Sequence, residues 1–329
     1  MSSGTGSGPV ALEGVFRAHE RVVWRLAYRL TGSAADADDV VQETFVRLME
    51  RPPADMAEPV RGWLVRVATN LGVDALRRRR RRSYPGSWLP SPIETEGPEW
   101  RDAADEDATP EGRYELLESV SFAFLLALEA LTPRQRAVLL LRDVLDYSAR
   151  EAGEVIGTTE ANARIIHHRA RRAIAEHERD RCVPTPERQD RTRRVLEAFM
   201  TALASQDARA IESMLADGVR TVTDAAGEYT ALGVPLVGRK RVARLYLQAA
   251  SHRRTAGPRF EIRLLNGLPA VVMTLSHPER RAAPRTVLRC EISPDGRITE
   301  LHAILASRKL SAVRFDGATA TTGGAVPLP

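Results

Sequence analysis

LTPRQRAVLLLRDVLDYSAREAGEVIGTTEANARIIHHRARRAI, residues 131–174, holds three helical patterns punctuated by their own stop and start signals. Thr132 can cap a helix and Pro133 suits its first position, where the missing N–H is no loss, so a helix is predicted over residues 133–144. A second is predicted over 147–156, Gly157-Thr158-Thr159 breaks it, and a third runs from Glu160 to about residue 175. Two helices around a short glycine-containing turn are the grammar of a helix-turn-helix. In the last helix Ile166, Ala170 and Ala173 share the face expected to pack. Opposite them lie Glu160, Arg164, His168 and Arg171, with Thr159 at the end that enters the major groove in such motifs. The same face would also serve an ordinary surface helix. His167 and His168 are adjacent and point about 100° apart, which makes them a poor metal pair.

Upstream, Val15, Val22, Leu26 and Leu30 recur at helix spacing, and Val41, Phe45, Leu48 and Met49 repeat the pattern after a Thr31-Gly32-Ser33 break. A third helix is predicted after Pro59, through Trp63 to about residue 80, with Leu64, Ala68, Leu71 and Ala75 as its core stripe. Trp63, Val67, Asn70, Asp74 and Arg77 fall on the adjacent face, which leads into the arginines at 77–82. Such a stripe, Arg78 included, can hold a phosphate backbone and offer Asn70 to base edges. An arginine run is also the ordinary ending of a surface helix, where it complements the dipole. Residues 12–82 thus read as a compact all-helical unit, preceded by a Gly/Ser-rich tail over 1–11 that is expected to be disordered.

Between the two helical blocks, residues 91–120 carry ten acidic and two basic side chains, and prolines stand at 85, 90, 92, 98 and 110. Such a composition disfavours continuous helix and resists collapse, so 83–113 is read as a linker and 114–181 as the second helical block. Beyond Pro186 helices give way to strands. Amphipathic helices are predicted around Leu196–Leu203 and Ile211–Leu215, strands over 219–224, 260–265, 270–276, 286–292 and 298–304, and a helix over 239–251. Asn266-Gly267 and Pro294-Asp295-Gly296 are turn signals between strands. The order implies an α+β domain over 187–314 with a curved antiparallel sheet wrapped on helices, followed by a disordered tail over 315–329.

With 329 residues, two or three domains are expected. The two cysteines, Cys182 and Cys290, lie far apart without companion ligands, so neither a disulfide framework, nor a metal site, nor any cofactor is implied, and a reducing cytoplasm fits. No stretch approaches the roughly 18–20 apolar residues that a bilayer span requires, and MSSGTGSGPV lacks the regions of a signal peptide.

The stretch at 131–174 resembles region 4 of the sigma-70 family. ADADDVVQETFVRL, residues 35–48, and RGWLVRVATNLGVDALRRRRRR, residues 61–82, resemble region 2 of its extracytoplasmic-function (ECF) group. The resemblance implies a sigma factor that binds RNA polymerase core, through its β and β′ subunits, and opens promoter DNA, rather than an enzyme. Asp38, Asp39, Gln42 and Glu43 would face the core. Trp63, Asn70, Asp74, Arg77 and Arg78 would serve the −10 element, and Thr159, Glu160, Arg164, His168 and Arg171 the −35 element. YPGSWLPSP, residues 84–92, is similar to a WLPEP segment of sigma factors with a fused C-terminal domain, Ser91 replacing the glutamate.

Residues 189–313 resemble a SnoaL-like domain of the NTF2-like superfamily, an α+β cone, which in such fusions implies an intramolecular regulator touching region 2 and the linker. The family's DGGGK appears as Asp224-Ala225-Ala226-Gly227-Glu228 and its NPDKL as Ala306-Ser307-Arg308-Lys309-Leu310. The overall expectation is a multidomain chain: two all-α sigma domains, a region 2 bundle and a region 4 helix-turn-helix, plus the α+β cone. The alternative is a SnoaL-like enzyme or small-ligand sensor carrying a DNA-binding appendage, with Asp217, Asp224, Tyr229 and His302 as its pocket residues.

Overall fold

The computed structural model describes residues 9–53, 60–96, 119–175 and 184–315. Most of the expected acidic tether and nearly all of both tails therefore lie outside the described residues. The chain forms two compact units, one from the described parts of Met1–Arg82 and Ala127–Arg181, the other from those of Ser83–Leu126 and Cys182–Pro329.

In the first unit, α1 (Pro9–Thr31) begins inside the expected N-terminal tail, and α2 (Ala34–Glu50) and α3 (Val60–Arg81) complete a three-helix bundle. Ser33 caps α2 by accepting from the Asp36 amide, and Gly32, at φ 67, makes the turn that precedes it. The bundle core is Leu26, Leu30, Val41, Phe45, Leu48, Leu64, Ala68 and Leu76. Leu71 and Ala75, expected in that core, are only half-buried, because α3 rotates Gly72 and Val73 inward, with Gly72 against Leu30.

After α4 (Phe122–Ala127) come α5 (Pro133–Asp143), α6 (Ala149–Ile156) and α7 (Glu160–Ala173). The second of these starts two residues later than its periodicity suggests, since Ser148 and Glu151 form a reciprocal capping box and Asp146 takes a left-handed conformation at φ 55. Gly157 ends α6 at φ 69, and a side chain at Gly153 would meet the Thr158 carbonyl at 2.9 Å, so the helix-turn-helix corner needs glycine at both places. The two helical blocks, expected as separate modules, pack on one another through α1 and α3 against α5, and α3 against α6.

The second unit holds α8 (Pro186–Ala204), α9 (Ala208–Met214), β1 (Leu215–Asp224), β2 (Leu236–Val237), α10 (Arg239–Arg253), β3 (Pro258–Leu265), β4 (Leu268–Leu275), β5 (Arg285–Ile292) and β6 (Ile298–Ile304). The sheet order is β2-β1-β6-β5-β4-β3, and the β1–β6 pair is parallel, so the sheet is mixed rather than antiparallel throughout. Asn266 and Gly267, at φ 52 and 81, make the two-residue turn between β3 and β4.

Both faces of this sheet are covered. Leu196, Phe199, Leu203, Ile211 and Val242 pack against Val271, Leu288, Cys290 and Leu301 on the helical side. Val222, Ala270, Val272, Val287 and Ile304, one residue out of step, receive Leu89, Phe122 and Leu310. That double burial is why LPAVVMTL in β4 reads as a continuous apolar run instead of alternating.

Candidate functional site

Along α2, Ala37, Val40, Val41, Thr44, Phe45 and Leu48 face inward, which leaves Asp38, Asp39, Gln42 and Glu43 as a continuous exposed stripe. Trp24 Nε1 donates to Asp38 at 2.6 Å, and Arg47 Nε donates to Glu43 at 2.8 Å. Two apolar side chains extend the stripe, Val46 at 39% and Met49 at 59% exposure. The periodicity assigns Met49 to the core. It stands instead seven residues past Gln42, two turns along the same polar face, and a large exposed methionine in that setting marks a binding surface.

On α3, Trp63 is half-buried, and Asp74 and Arg77 pair at 3.0 Å, three residues apart. Asn70 Nδ2 donates to the Val155 carbonyl of α6 at 3.4 Å, so the amide expected at DNA faces the helix-turn-helix block. The six arginines divide. Arg77, Arg78, Arg80, Arg81 and Arg82 are exposed, Arg80 also donating to the Leu131 carbonyl, whereas Arg79 turns back to the Thr31 carbonyl at 2.7 Å and Glu129 at 2.5 Å.

Between the two blocks lies Arg136, at 1% exposure. Its guanidinium donates to the carbonyls of Leu128 at 3.1 Å and Leu30 at 2.8 Å and pairs with Glu129 at 2.5 Å. Burial lowers its pKa, and the Glu129 charge works against that shift. Composition gave no sign of Arg136, since nothing local distinguishes it from the exposed Arg134 two residues earlier.

In α7 the packed residues are Ala163 and Ala170, with Ile174 just beyond; Ala173, expected to pack, is exposed. Thr159 caps the helix by accepting from the Asn162 amide. Glu160 and Arg164 form an i,i+4 ion pair, and His168 is exposed. Arg171 pairs with Asp143 of α5 at 3.1 Å, and His167 meets the same carboxylate at 2.7 Å, so these two brace the recognition helix while the preceding turns stay open.

The four expected pocket residues of the C-terminal unit stand in different settings. Asp217, its side chain 90% exposed, pairs with Arg239 at 2.8 Å. Tyr229 meets Ser307 Oγ at 2.9 Å. His302 is buried beside Phe122, its Nε2 3.0 Å from Glu300 and its Nδ1 without a hydrogen-bond partner among the described residues, and burial holds its pKa below the ordinary histidine value. Asp224 is completely buried. It accepts from Tyr84 Oη at 2.6 Å, the Leu89 amide at 2.7 Å and Lys309 Nζ at 2.5 Å.

Lys309 also donates to the Leu89 carbonyl and lies 4.1 Å from the Trp88 ring centroid. The aromatic segment is therefore seated on the sheet domain by one buried ion pair. A second anchor follows, where the Thr95 amide donates to the Leu264 carbonyl at 3.1 Å and Glu94 meets Arg263 at 3.0 Å and Arg314 at 2.6 Å. The two departures from the family's motifs have new contacts: Glu228 accepts from the Ser307 amide at 3.1 Å, which ties the two altered segments together. Among the described residues there is no cluster able to hold a metal, and no helix long and apolar enough to cross a membrane.

Two family models match the chain, Sigma-70 region 2 at residues 15–82 and Sigma-70, region 4 at residues 121–174. The ECF RNA polymerase sigma factor SigJ of Mycobacterium tuberculosis is 35% identical over 235 residues, covering 70% of this chain and 71% of that protein. The same organism's probable ECF RNA polymerase sigma factor SigI is 30% identical over 306 residues, 92% of this chain and 95% of the relative. The crystal structure of M. tuberculosis SigJ superposes with a TM-score of 0.66 at 26% identity, covering 91% of this chain and 98% of the other.

Proposed function

Because the chain belongs to the ECF RNA polymerase sigma factors of the sigma-70 family, we propose that the exposed stripe of α2 is its polymerase contact and the open turns of α7 its promoter reader, with the C-terminal domain as a built-in regulator. The observation that carries this reading is the exposed run Asp38, Asp39, Gln42, Glu43, Val46 and Met49 on a helix whose other face is fully packed. A charged rim with an apolar end suits a protein partner, whereas a DNA partner would call for the opposite charge. Trp63, Asn70, Asp74, Arg77 and Arg78 serve the −10 element in this reading, and Thr159, Glu160, Arg164 and His168 the −35 element. Arg171 acts by holding the helix against Asp143. The contact of the Tyr84–Thr95 segment with Asp224 and Lys309 supports the regulatory part. Asp224 and His302 are occupied by structural partners, which favours this reading over acid–base chemistry at those residues.

Reconstituted initiation with core enzyme on a promoter library tests it. Asp39→Arg reverses a charge on the stripe and is expected to weaken core binding about 10- to 100-fold, roughly 1–3 kcal/mol, with the circular dichroism spectrum unchanged. Arg164→Ala is expected to cost about 1–3 kcal/mol at one −35 position if it reads a base edge, or to lower the salt slope by about one if it holds phosphate. Wild-type core affinity in Asp39→Arg would place the polymerase contact elsewhere. Unchanged promoter selection together with an unchanged salt slope in Arg164→Ala would remove α7 from the reading surface.

A further inference from the structure

In the C-terminal unit, the last turn of α10 and the connection between β4 and β5 border an open cavity of about 920 Å³. Its apolar surface comes from Leu275, Ala249, Ala256 and Ala283, and Arg253, Arg280 and Arg281 stand around it, with Glu279 the sole carboxylate among the lining residues. A site of this size, part apolar and rimmed by charged groups, has the dimensions of small-molecule pockets.

Arg253 is the unusual member. Of the other arginines held within this domain, Arg289 pairs with Glu291 at 2.8 Å, Arg263 with Glu94 at 3.0 Å and Arg239 with Asp217 at 2.8 Å, while the half-buried Arg193 donates to the Ile262 carbonyl at 3.4 Å. Arg253 is half-buried and among the described residues has no ion pair; burial depresses its pKa, opposed only by Tyr246. The Tyr246 hydroxyl is already engaged with Thr221 at 2.8 Å. A partly desolvated cation with no counter-charge is costly unless an anion arrives to pair with it. Across the cavity, Arg281 adopts φ 115, a region that side-chain-bearing residues avoid, and its carbonyl accepts from the Thr230 amide at 3.0 Å. That hydrogen bond helps hold the strained loop at the cavity edge, where Arg281 lines the opening.

We propose that this cavity is a binding site for a small amphipathic organic carboxylate, its charged end on Arg253 and Arg281 and its apolar body over Leu275 and the alanines. Apolar lining without a cationic end would suit a neutral lipid, and arginines without apolar lining would suit a free inorganic anion. Here both occur together.

Isothermal titration of the full-length protein with decanoate, decanol and inorganic phosphate tests the proposal. Decanoate is expected to bind one-to-one and about tenfold or more tighter than decanol, with no saturable heat from phosphate at the same concentrations. Arg253→Gln is expected to weaken decanoate about tenfold and leave decanol unchanged, and Arg281→Gln, on the exposed loop, to weaken decanoate about two- to fivefold. Should Arg253→Gln fail to fold by circular dichroism, Arg281→Gln and the decanoate-to-decanol ratio decide alone. Equal affinity for decanol, phosphate binding as tight as decanoate, stoichiometry above one, no saturable decanoate binding, or no loss in the folded variants would each overturn the proposal.

Discussion

Arg136→Ala is expected to lower the stability of the helical unit by about 3–5 kcal/mol, measured as a fall in its urea midpoint at unchanged slope. The size follows from what stays behind. Removing the guanidinium takes a donor from each of the Leu30 and Leu128 carbonyls, the latter keeping the Leu131 amide, and leaves Glu129 with Arg79 as its remaining partner. Arg136→Lys is expected to recover little, because a single ammonium cannot reproduce a fork that serves two carbonyls and a carboxylate at once. A midpoint within about 0.5 kcal/mol of wild type in Arg136→Ala would mean that the two helical blocks are held without it.

Lys309→Ala should have a comparable effect on the other unit, about 3–5 kcal/mol, since it leaves the Asp224 carboxylate completely buried without its counter-charge. The local readout is hydrogen exchange at the Leu89 amide, which donates to Asp224 and should lose protection first as the Tyr84–Leu89 segment lifts off. Replacing Asp224 and Lys309 together with Leu and Met is expected to restore much of the global stability, because neither charge is then stranded, while Leu89 stays exchangeable for want of its acceptor. Slow Leu89 exchange in Lys309→Ala would show that Asp224 keeps the segment seated without the lysine's charge.

What could be read in the sequence was whatever repeats locally. The 298–304 strand is legible to the residue, as are the Asn266-Gly267 turn and the capping signal at Thr132, since each is set by neighbours within a few positions. The stripe residues Asp38, Asp39, Gln42 and Glu43 come from the family resemblance instead, and the apolar character of Met49 points inward while its position on the helix points out. The missed features join distant positions. Arg136 meets a carbonyl 106 residues away, Lys309 a carboxylate 85 residues away, and Phe122 covers the strand that carries His302. No periodicity announces such pairs. The run of arginines at 77–82 reads as one surface, yet Arg79 is half-buried and the exposed Arg80 also reaches back to a carbonyl, because helical rotation brings both over the ends of neighbouring elements. The pocket quartet rests on residue type, which suggests acids and bases, whereas the structure gives each of the four a partner that residue type does not announce.

The packing of α3 against α5 and α6 sets a limit on reach. Promoter elements centred near −35 and −10 are separated by about 25 base pairs, or about 85 Å of duplex at 3.4 Å per step, while a compact body the size of the helical unit is only about 35–40 Å across. In this arrangement the protein is too short a ruler for its own target, and the Asn70 amide spends its hydrogen bond on the neighbouring block. Promoter engagement in the proposed reading is therefore expected to begin with a separation, and whatever free energy holds the blocks shut would be subtracted from the gain on binding. Each 1.4 kcal/mol of closure reduces the fraction ready to bind about tenfold, so the transcriptional output of the chain can be graded by how tightly it is folded upon itself.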